Sequence, residues 1–126
     1  MATRRRRTKA EIEAANRRSY QQWAYRIRKT YGISDDEYWS IWNFQDGRCA
    51  ICWTAKGKTV RLAVDHDHKT GEVRGLLCRK CNTIVGRLRD DADAFNRGCA
   101  YLRLPPAFNI IGRRVVPGFV TSQCDA

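Results

Sequence analysis

Four cysteines and a short run of acidic and imidazole side chains are the residues of this sequence best suited to chemistry. Cys49 and Cys52 form one Cys-x-x-Cys pair, Cys78 and Cys81 form a second, and the run 65–68 reads Asp-His-Asp-His. Four thiolates in two such pairs suit a closed tetrahedral zinc site, because each pair makes a knuckle and the intervening chain can loop out and return. A closed site has no position for water, so we expect one structural zinc per chain.

Polar residues beside the knuckles are the candidates for catalysis. The run 65–68 lies between the two cysteine pairs, and Asn82 follows Cys81 directly. Taken alone, the run could be a polar hairpin turn, but its position between zinc knuckles and its pairing with Asn82 favour a catalytic interpretation. Because the zinc site is closed, this chemistry predicts a second, hard metal ion.

The charge of the chain indicates a polyanionic partner. It carries 24 Lys and Arg against 13 Asp and Glu, a formal net charge of +11, which favours nucleic acid. There is no apolar run of membrane-spanning length and no export signal after the basic residues 4–7. We therefore expect a protein of the cytoplasm that does not bind membranes, in which the paired cysteines hold metal and form no disulfides. Cys99 is expected to be a buried thiol, and Cys124 an unmodified one.

Two helices are predicted ahead of the first knuckle. Thr8 opens a capping box, and the basic amphipathic pattern that follows ends at Gly32. Ser34 opens a second capping box and a shorter helix, ended by Asp46 and Gly47. Its apolar side is expected to cover the zinc core. The four tryptophans are expected to pack in the core or against the knuckles and not to stack on bases: Trp23, Trp39, Trp42 and Trp53.

A strand, a second strand and a helix are predicted between and after the knuckles. Residues 59–64 and 73–77 have the composition of paired β-strands, with a turn at 69–71 and the Asp-His run in the turn region. A helix is predicted from Asn82 to Arg89, despite the cost of Gly86.

The remaining residues complete a predicted division into four regions. Asp90 or Asp91 can cap a last helix that ends before Pro105. Residues 107–126 hold two apolar clusters. Three interpretations stay open for them: a small hairpin, a dimer contact or a loose tail. The regions are a disordered basic arm (1–7), an N-terminal helical region (8–48), a zinc-bound core (49–90), and a C-terminal helix with an apolar tail (91–126).

Three segments together resemble the recombination endonuclease VII family of bacteriophage HNH, or ββα-metal, nucleases. They are Cys49 to Cys52, residues 64–71 (Val-Asp-His-Asp-His-Lys-Thr-Gly), and Gly75 to Asn82. The similarity covers about residues 31–104. It implies an α+β fold with a zinc-stapled, treble-clef-like ββα-metal nuclease core and flanking helices, acting as a DNA endonuclease.

The resemblance also implies a role for each polar residue. Asp65 and Asn82 would hold magnesium or manganese, His66 would activate water, and His68 would contact or orient the scissile phosphate. Chemistry supports these roles, since magnesium prefers oxygen ligands and an imidazole with a reference pKa of about 6.5 can accept a proton near neutral pH. On an extended backbone the side chain of Asp67 faces away from those of His66 and His68. We therefore assign Asp67 to capping the loop or supporting the site.

Several functions stay open at this stage. The resemblance suggests cleavage of branched DNA, such as a Holliday junction, during phage recombination and packaging. The alternatives are a non-specific or mobile-element nicking nuclease and a non-catalytic zinc module that binds nucleic acid. Symmetric junction cleavage would need a homodimer, formed through the stripe of Ile12, Trp23 and Ile27 or through the tail 108–120.

Overall fold

The computed structural model describes residues 5–57 and 60–119. In these ranges the chain is α+β, with five helices and one two-stranded antiparallel sheet. The chain divides into two compact units, Met1–Asp90 and Asp91–Ala126. No helix in the described ranges is long and apolar enough to cross a bilayer.

Both predicted N-terminal helices are present with their capping boxes. Helix α1 spans Lys9–Tyr31, and Gly32 ends it with a left-handed φ of 71°. Helix α2 spans Asp35–Phe44, with Ser34 as its N-cap. It ends two residues before the predicted Asp46, which begins a left-handed turn. Residues 5–8 precede α1 without helix or strand, and residues 1–4 of the predicted basic arm lie outside the described ranges.

Gly47 is required in the turn after α2 for two reasons. Its φ is +67°, a left-handed conformation that side chains disfavour. A Cβ atom at this position would also lie 2.6 Å from Cζ2 of Trp42. The tight turn therefore directs the chain from α2 into the first cysteine pair.

An aromatic cluster joins α1 to α2 and forms one side of the core. Trp23 and Tyr38 are buried and meet edge to face, with ring centroids 4.8 Å apart. The Tyr38 hydroxyl donates a hydrogen bond of 2.6 Å to the carbonyl of Leu62, and burial raises the pKa of Tyr38 to about 12. Ile27 is buried in the same core. The predicted dimer stripe is thus wrong, because only Ile12 of its three residues is exposed.

The first strand of the hairpin begins and ends later in the chain than predicted. Strand β1 spans Ala63–His66 and β2 spans Val73–Leu77, with Ala63 opposite Leu77 and Asp65 opposite Gly75. Residues 60–62 are not in a strand, and Thr59 lies outside the described ranges. Asp65 and His66 therefore belong to β1 and not to the turn region, because backbone pairing continues as far as His66, which lies opposite Val73.

Helix α3 begins earlier than predicted. It spans Arg79–Arg87, and Cys78 is its N-cap, with Sγ accepting a hydrogen bond of 3.4 Å from the backbone N–H of Cys81. A cysteine is not a usual N-cap residue, so the sequence pattern placed the start at Asn82. Helix α3 packs on both strands, which gives the order strand, strand, helix.

Within residues 91–119, the described part of the second unit, there are two helices. Helix α4 spans Ala92–Arg103, with Asp91 as its N-cap, and α5 spans Pro106–Ile111. The predicted buried thiol at position 99 is wrong, because Cys99 is exposed. A hairpin from the two apolar clusters is also absent in the described ranges, since the first cluster lies in α5. Cys124 and residues 120–126 lie outside those ranges.

Candidate metal centre and active site

The four paired cysteines converge on one point. Their sulfur atoms all lie within 4.8 Å of one another, and Sγ of Cys52 lies 3.8 Å from Sγ of Cys78. Four sulfurs at about 2.3 Å from a tetrahedral zinc ion are about 3.8 Å apart. None of the five cysteines in the described ranges forms a disulfide. The cluster therefore has the donors and the size to hold a structural zinc ion.

Gln45 fixes the first knuckle to the hairpin. Its side-chain amide donates hydrogen bonds to the carbonyls of Arg48 (2.8 Å) and Leu76 (2.9 Å), and its carbonyl accepts one from the backbone N–H of Leu76 (2.9 Å). The backbone N–H of Ala50 also donates to Leu76. The side chain of Gln45 thereby pairs with β2 as a neighbouring strand would, and the sequence pattern gave no sign of this role.

The thiols of the cluster differ in acidity. Hydrogen bonds from Thr54, whose hydroxyl lies 3.2 Å from Sγ of Cys52, lower the pKa of Cys52 to about 6. Burial, with the neighbouring thiols, raises the pKa of Cys81 to about 12. The cluster thus combines an exposed thiol that loses its proton easily with a buried thiol that resists ionisation. A bound cation would supply the charge that lets every ligand lose its proton.

Asp65 is buried at the end of β1 and paired with an arginine. Arg74 donates from Nε to Oδ2 at 2.7 Å and from Nη2 to Oδ1 at 3.0 Å, while Asp65 is only 6% exposed. Because Asp65 lies opposite Gly75 and His66 opposite Val73, Arg74 is the extra residue of a β-bulge. The bulge directs the guanidinium back across the hairpin, a contact that the sequence pattern did not predict.

The two histidines lie side by side where β1 ends. The ring centroids of His66 and His68 are 4.8 Å apart, and the ring of Tyr31 lies 5.7 Å from that of His66. His66 is half-buried, and the side chain of His68 is the more exposed of the two. Both imidazoles that the sequence predicts to act together therefore share one surface, next to the buried Asp65.

Asp90 connects His68 to the arginine pair. One carboxylate oxygen accepts a hydrogen bond of 3.0 Å from Arg74, and the other lies 3.1 Å from Nδ1 of His68. The hydrogen bond from Arg74, and to a smaller extent the contact with His68, lower the pKa of Asp90 to about 2. The sequence suggests Asp90 or Asp91 as a helix cap, and the structure gives that role to Asp91.

Asn82 is half-buried in the first turns of α3 and lines a groove of about 990 Å³. In the described ranges, the lining of this groove includes neither Asp65 nor His66. Its other lining residues include five basic side chains: Lys56, Arg61, Arg79, Lys80 and Arg87. The groove is therefore a positively charged surface next to the hairpin, suited to a phosphate backbone.

Asp65 and Asn82 each offer oxygen donors of the kind that magnesium prefers, although in the described ranges Asn82 lines a groove that does not include Asp65. The carboxylate of Asp65 has two lone pairs on each oxygen, of which Arg74 occupies one on each. Asp65 can therefore contribute to a magnesium or manganese site if the ion shares the carboxylate with Arg74. The amide of Asn82 offers a second oxygen donor.

Two further predictions have clear outcomes. Oδ1 of Asp67 accepts hydrogen bonds from the backbone N–H groups of Lys69 (2.7 Å) and Thr70 (3.0 Å), which confirms its loop-capping role. Trp53 does not pack against the knuckle as expected, because it is 71% exposed and has a left-handed φ of 61°.

A hairpin and a helix arranged around four clustered cysteines define a small α+β protein with a candidate structural zinc site. The match to the recombination endonuclease VII family spans residues 24–104, and the chain belongs to this family. The resemblance seen in the cysteine pairs and the Asp-His run is thereby confirmed.

Two phage proteins are similar to most of the chain. The Gene 59 protein of Mycobacterium phage D29 is 55% identical over 108 residues, which cover 85% of this chain and 64% of that protein. The Gene 59 protein of Mycobacterium phage L5 is 55% identical over 101 residues, covering 79% and 62%. The chain thus spans less than two thirds of the length of these relatives. No solved structure matches it.

Proposed function

We propose that this chain is a metal-dependent DNA endonuclease of the HNH, or ββα-metal, type. It would hydrolyse phosphodiester bonds in branched or packaging-stage phage DNA, in the cytoplasm of the bacterial host. The observation that carries the proposal is the pair of imidazoles, His66 and His68, 4.8 Å apart at one end of a hairpin whose other end runs into Cys78. Family membership and the net charge of +11 support DNA as the substrate.

Each polar side chain has a role in this proposal. His66 takes the proton of the attacking water, and the more exposed His68 contacts the scissile phosphate. Asp65 and Asn82 would hold a magnesium or manganese ion, which when bound would neutralise charge on the departing oxygen. The four cysteines hold a structural zinc, which keeps the hairpin and α3 in place.

Replacement of His66 by alanine tests this assignment. His66→Ala should abolish cleavage and leave DNA affinity within a few-fold, because the change removes proton transfer and little phosphate contact. Cleavage by the wild type should be compared on linear duplex, single strand, nicked plasmid and a four-way junction, with magnesium and with manganese. Full turnover by His66→Ala with saturating metal would show that another group is the base.

A non-catalytic zinc module remains the second candidate. The observation that favours it is the two-point pairing of Asp65 with Arg74, which engages both oxygens of the carboxylate predicted to hold a metal. This candidate predicts that the wild type binds all four DNA substrates and cuts none of them with either metal. Cleavage that His66→Ala removes would exclude it.

Symmetric cutting of a junction would require two copies of the site. We propose a homodimer through the second unit, where Leu102, Ile110 and Val116 are exposed. Light scattering should then give the mass of two chains at micromolar concentration. A monomer that nicks plasmids one strand at a time would instead be a general nicking nuclease.

A further inference from the structure

The carboxylate of Asp90 contacts the catalytic surface from outside the hairpin. It lies just after α3, accepts a hydrogen bond from Nη2 of Arg74, and contacts both Nδ1 and the backbone N–H of His68, the latter at 3.3 Å. Its side chain is only 9% exposed, whereas that of His68 is 66% exposed. Both oxygens of Asp90 are thus engaged while the outer side of the imidazole stays open to solvent.

The backbone that carries Asp90 is strained. Arg89 and Asp90 both have left-handed conformations, with φ of 56° and 57°, and the N–H of Asp90 donates to the carbonyl of Val85 at 3.1 Å. Two hydrogen bonds of a Schellman motif at the end of α3 impose this conformation, the second running from the N–H of Arg89 to the carbonyl of Gly86 at 3.0 Å. Capping of α4 does not explain Asp90, because Asp91 performs it.

We propose that Asp90 is a positioning residue, which holds His68 with its Nδ1 proton on the carboxylate and its Nε2 directed toward the DNA phosphate. An ionised carboxylate only accepts hydrogen bonds, so Nδ1 has to be the donor in this contact. In the neutral ring Nε2 then has a lone pair and no proton, so donation to a phosphate oxygen uses the imidazolium form, in which both ring nitrogens donate. The orientation of His68 follows from the structure, whereas its contact with phosphate rests on the proposed nuclease function.

The same carboxylate connects the two halves of the site. Arg74 contacts Asp65 on one side and Asp90 on the other, so an alternating chain of charges runs from the predicted metal ligand to His68. Loss of Asp90 would release His68, and Arg74 would keep Asp65 as its remaining partner among these charged groups. The expected result is a lower kcat with little change in KM, since the DNA-binding charges are unaffected.

Histidine NMR tests the positioning without any cleavage assay. The chain has two histidines, so its spectrum contains two imidazoles, and the His66→Ala variant assigns them. At a pH of about 9, where an imidazole is neutral, His68 of the wild type should carry its proton on Nδ1. Asp90→Gly removes the carboxylate and relieves the left-handed strain, so it should fold normally and shift the proton of His68 to Nε2.

Cleavage kinetics give the second readout. Asp90→Gly should lower kcat by about 10- to 100-fold, the usual effect of losing a group that orients an active-site ligand, with KM within about threefold. Asp90→Asn keeps an acceptor oxygen and should recover part of the rate. The matched control is Asp91→Asn, the same change at the adjacent residue, which keeps the cap of α4 and should leave the His68 tautomer and kcat unchanged.

The two readouts separate the failures. If His68 keeps the same tautomer in Asp90→Gly, or if this variant cleaves at the wild-type rate, Asp90 does not position the imidazole. If the wild type cuts no DNA but the tautomer shifts in Asp90→Gly, the positioning stands and the nuclease function fails.

Discussion

The side chain of Gln45 pairs with β2 in the place of a neighbouring strand. It meets both the N–H and the carbonyl of Leu76, a residue with no exposed surface, and also the carbonyl of Arg48. A buried backbone group without a partner costs free energy, because it cannot return to water. Much of the connection between the first knuckle and the hairpin therefore depends on this one amide.

Gln45→Leu should lower the free energy of unfolding by about 1–3 kcal/mol, because the N–H of Leu76 is left without a partner. Urea denaturation of the zinc-loaded protein, with an unchanged m value, measures the decrease. The matched control is Gln21→Leu on the exposed face of α1, which should change stability by no more than about 0.5 kcal/mol. Equal midpoints for the two variants would show that Gln45 does not hold the knuckle.

Residues predictable from the sequence are those whose chemistry depends on short spacing. The candidate zinc ligands and the loop cap at Asp67 follow from neighbours within a few positions. The contacts of Arg74 and Asp90 were not predicted, because they depend on a β-bulge and on a left-handed turn, neither of which a single sequence reveals. The doubled acid at 90–91 was a partial signal, since one carboxylate suffices for a cap.

At the scale of elements, the cysteine cluster joins pieces that are too short to be stable alone. Strands β1 and β2 have four and five residues, and α3 has nine. A two-stranded hairpin is marginal in water, as is a helix of this length. Cys78 serves both as a candidate ligand and as the N-cap of α3, so metal binding and the start of this helix are coupled.

Cys49→Ser should therefore lower the zinc content below one ion per chain and melt the hairpin, because the binding free energy of a structural zinc is also folding free energy. Elemental analysis measures the metal, and amide exchange at Leu76 and Leu77 measures the hairpin. The control is Cys99→Ser, in the exposed part of α4, which should keep a full zinc ion. A folded, zinc-free Cys49→Ser protein would contradict a structural role for the metal.

Two glycines predict opposite effects of the same substitution. Gly32 and Gly86 both have free space where a Cβ would lie, but only Gly32 has a left-handed φ. Gly32→Ala should cost about 1–2 kcal/mol, whereas Gly86→Ala, inside α3, should stabilise by roughly 0.5–1 kcal/mol. Thermal unfolding of the zinc-loaded variants measures both. If the unfolding temperatures of both variants moved in the same direction, packing and not backbone conformation would determine the effect of alanine at these positions.

The order of elements was largely predictable, and their ends were predictable where a local cap marks them. Capping boxes at Thr8 and Ser34 placed α1 and α2 correctly, because these caps are local. The start of α3 was missed by three residues, since its cap is a sulfur atom. The division of the chain into four regions stays a prediction, as do the roles of Asp65, His66, His68 and Asn82 in catalysis.

At the scale of the whole molecule, the positive charge is spread over surfaces with different surroundings. In the first unit, Arg18, Arg26 and Lys29 lie on one exposed face of α1, and five basic residues line the groove beside α3. In the second unit, Arg97 lies 3.4 Å from the carboxylate of Asp91. A phosphate backbone should therefore be attracted more strongly to the first unit.

DNA binding should weaken steeply with salt and depend little on sequence, because phosphate contacts release counterions and carry no base information. Replacing Arg18 and Arg26 by glutamine should flatten the plot of log affinity against log salt by about 0.9 for each phosphate that the variant no longer neutralises. The control replaces Arg97 and Arg103 of α4 by glutamine, which removes the same charge. Fluorescence anisotropy from about 50 to 200 mM salt measures both. If both variants flatten the plot equally, only total charge matters; if only the control does, DNA binds the second unit.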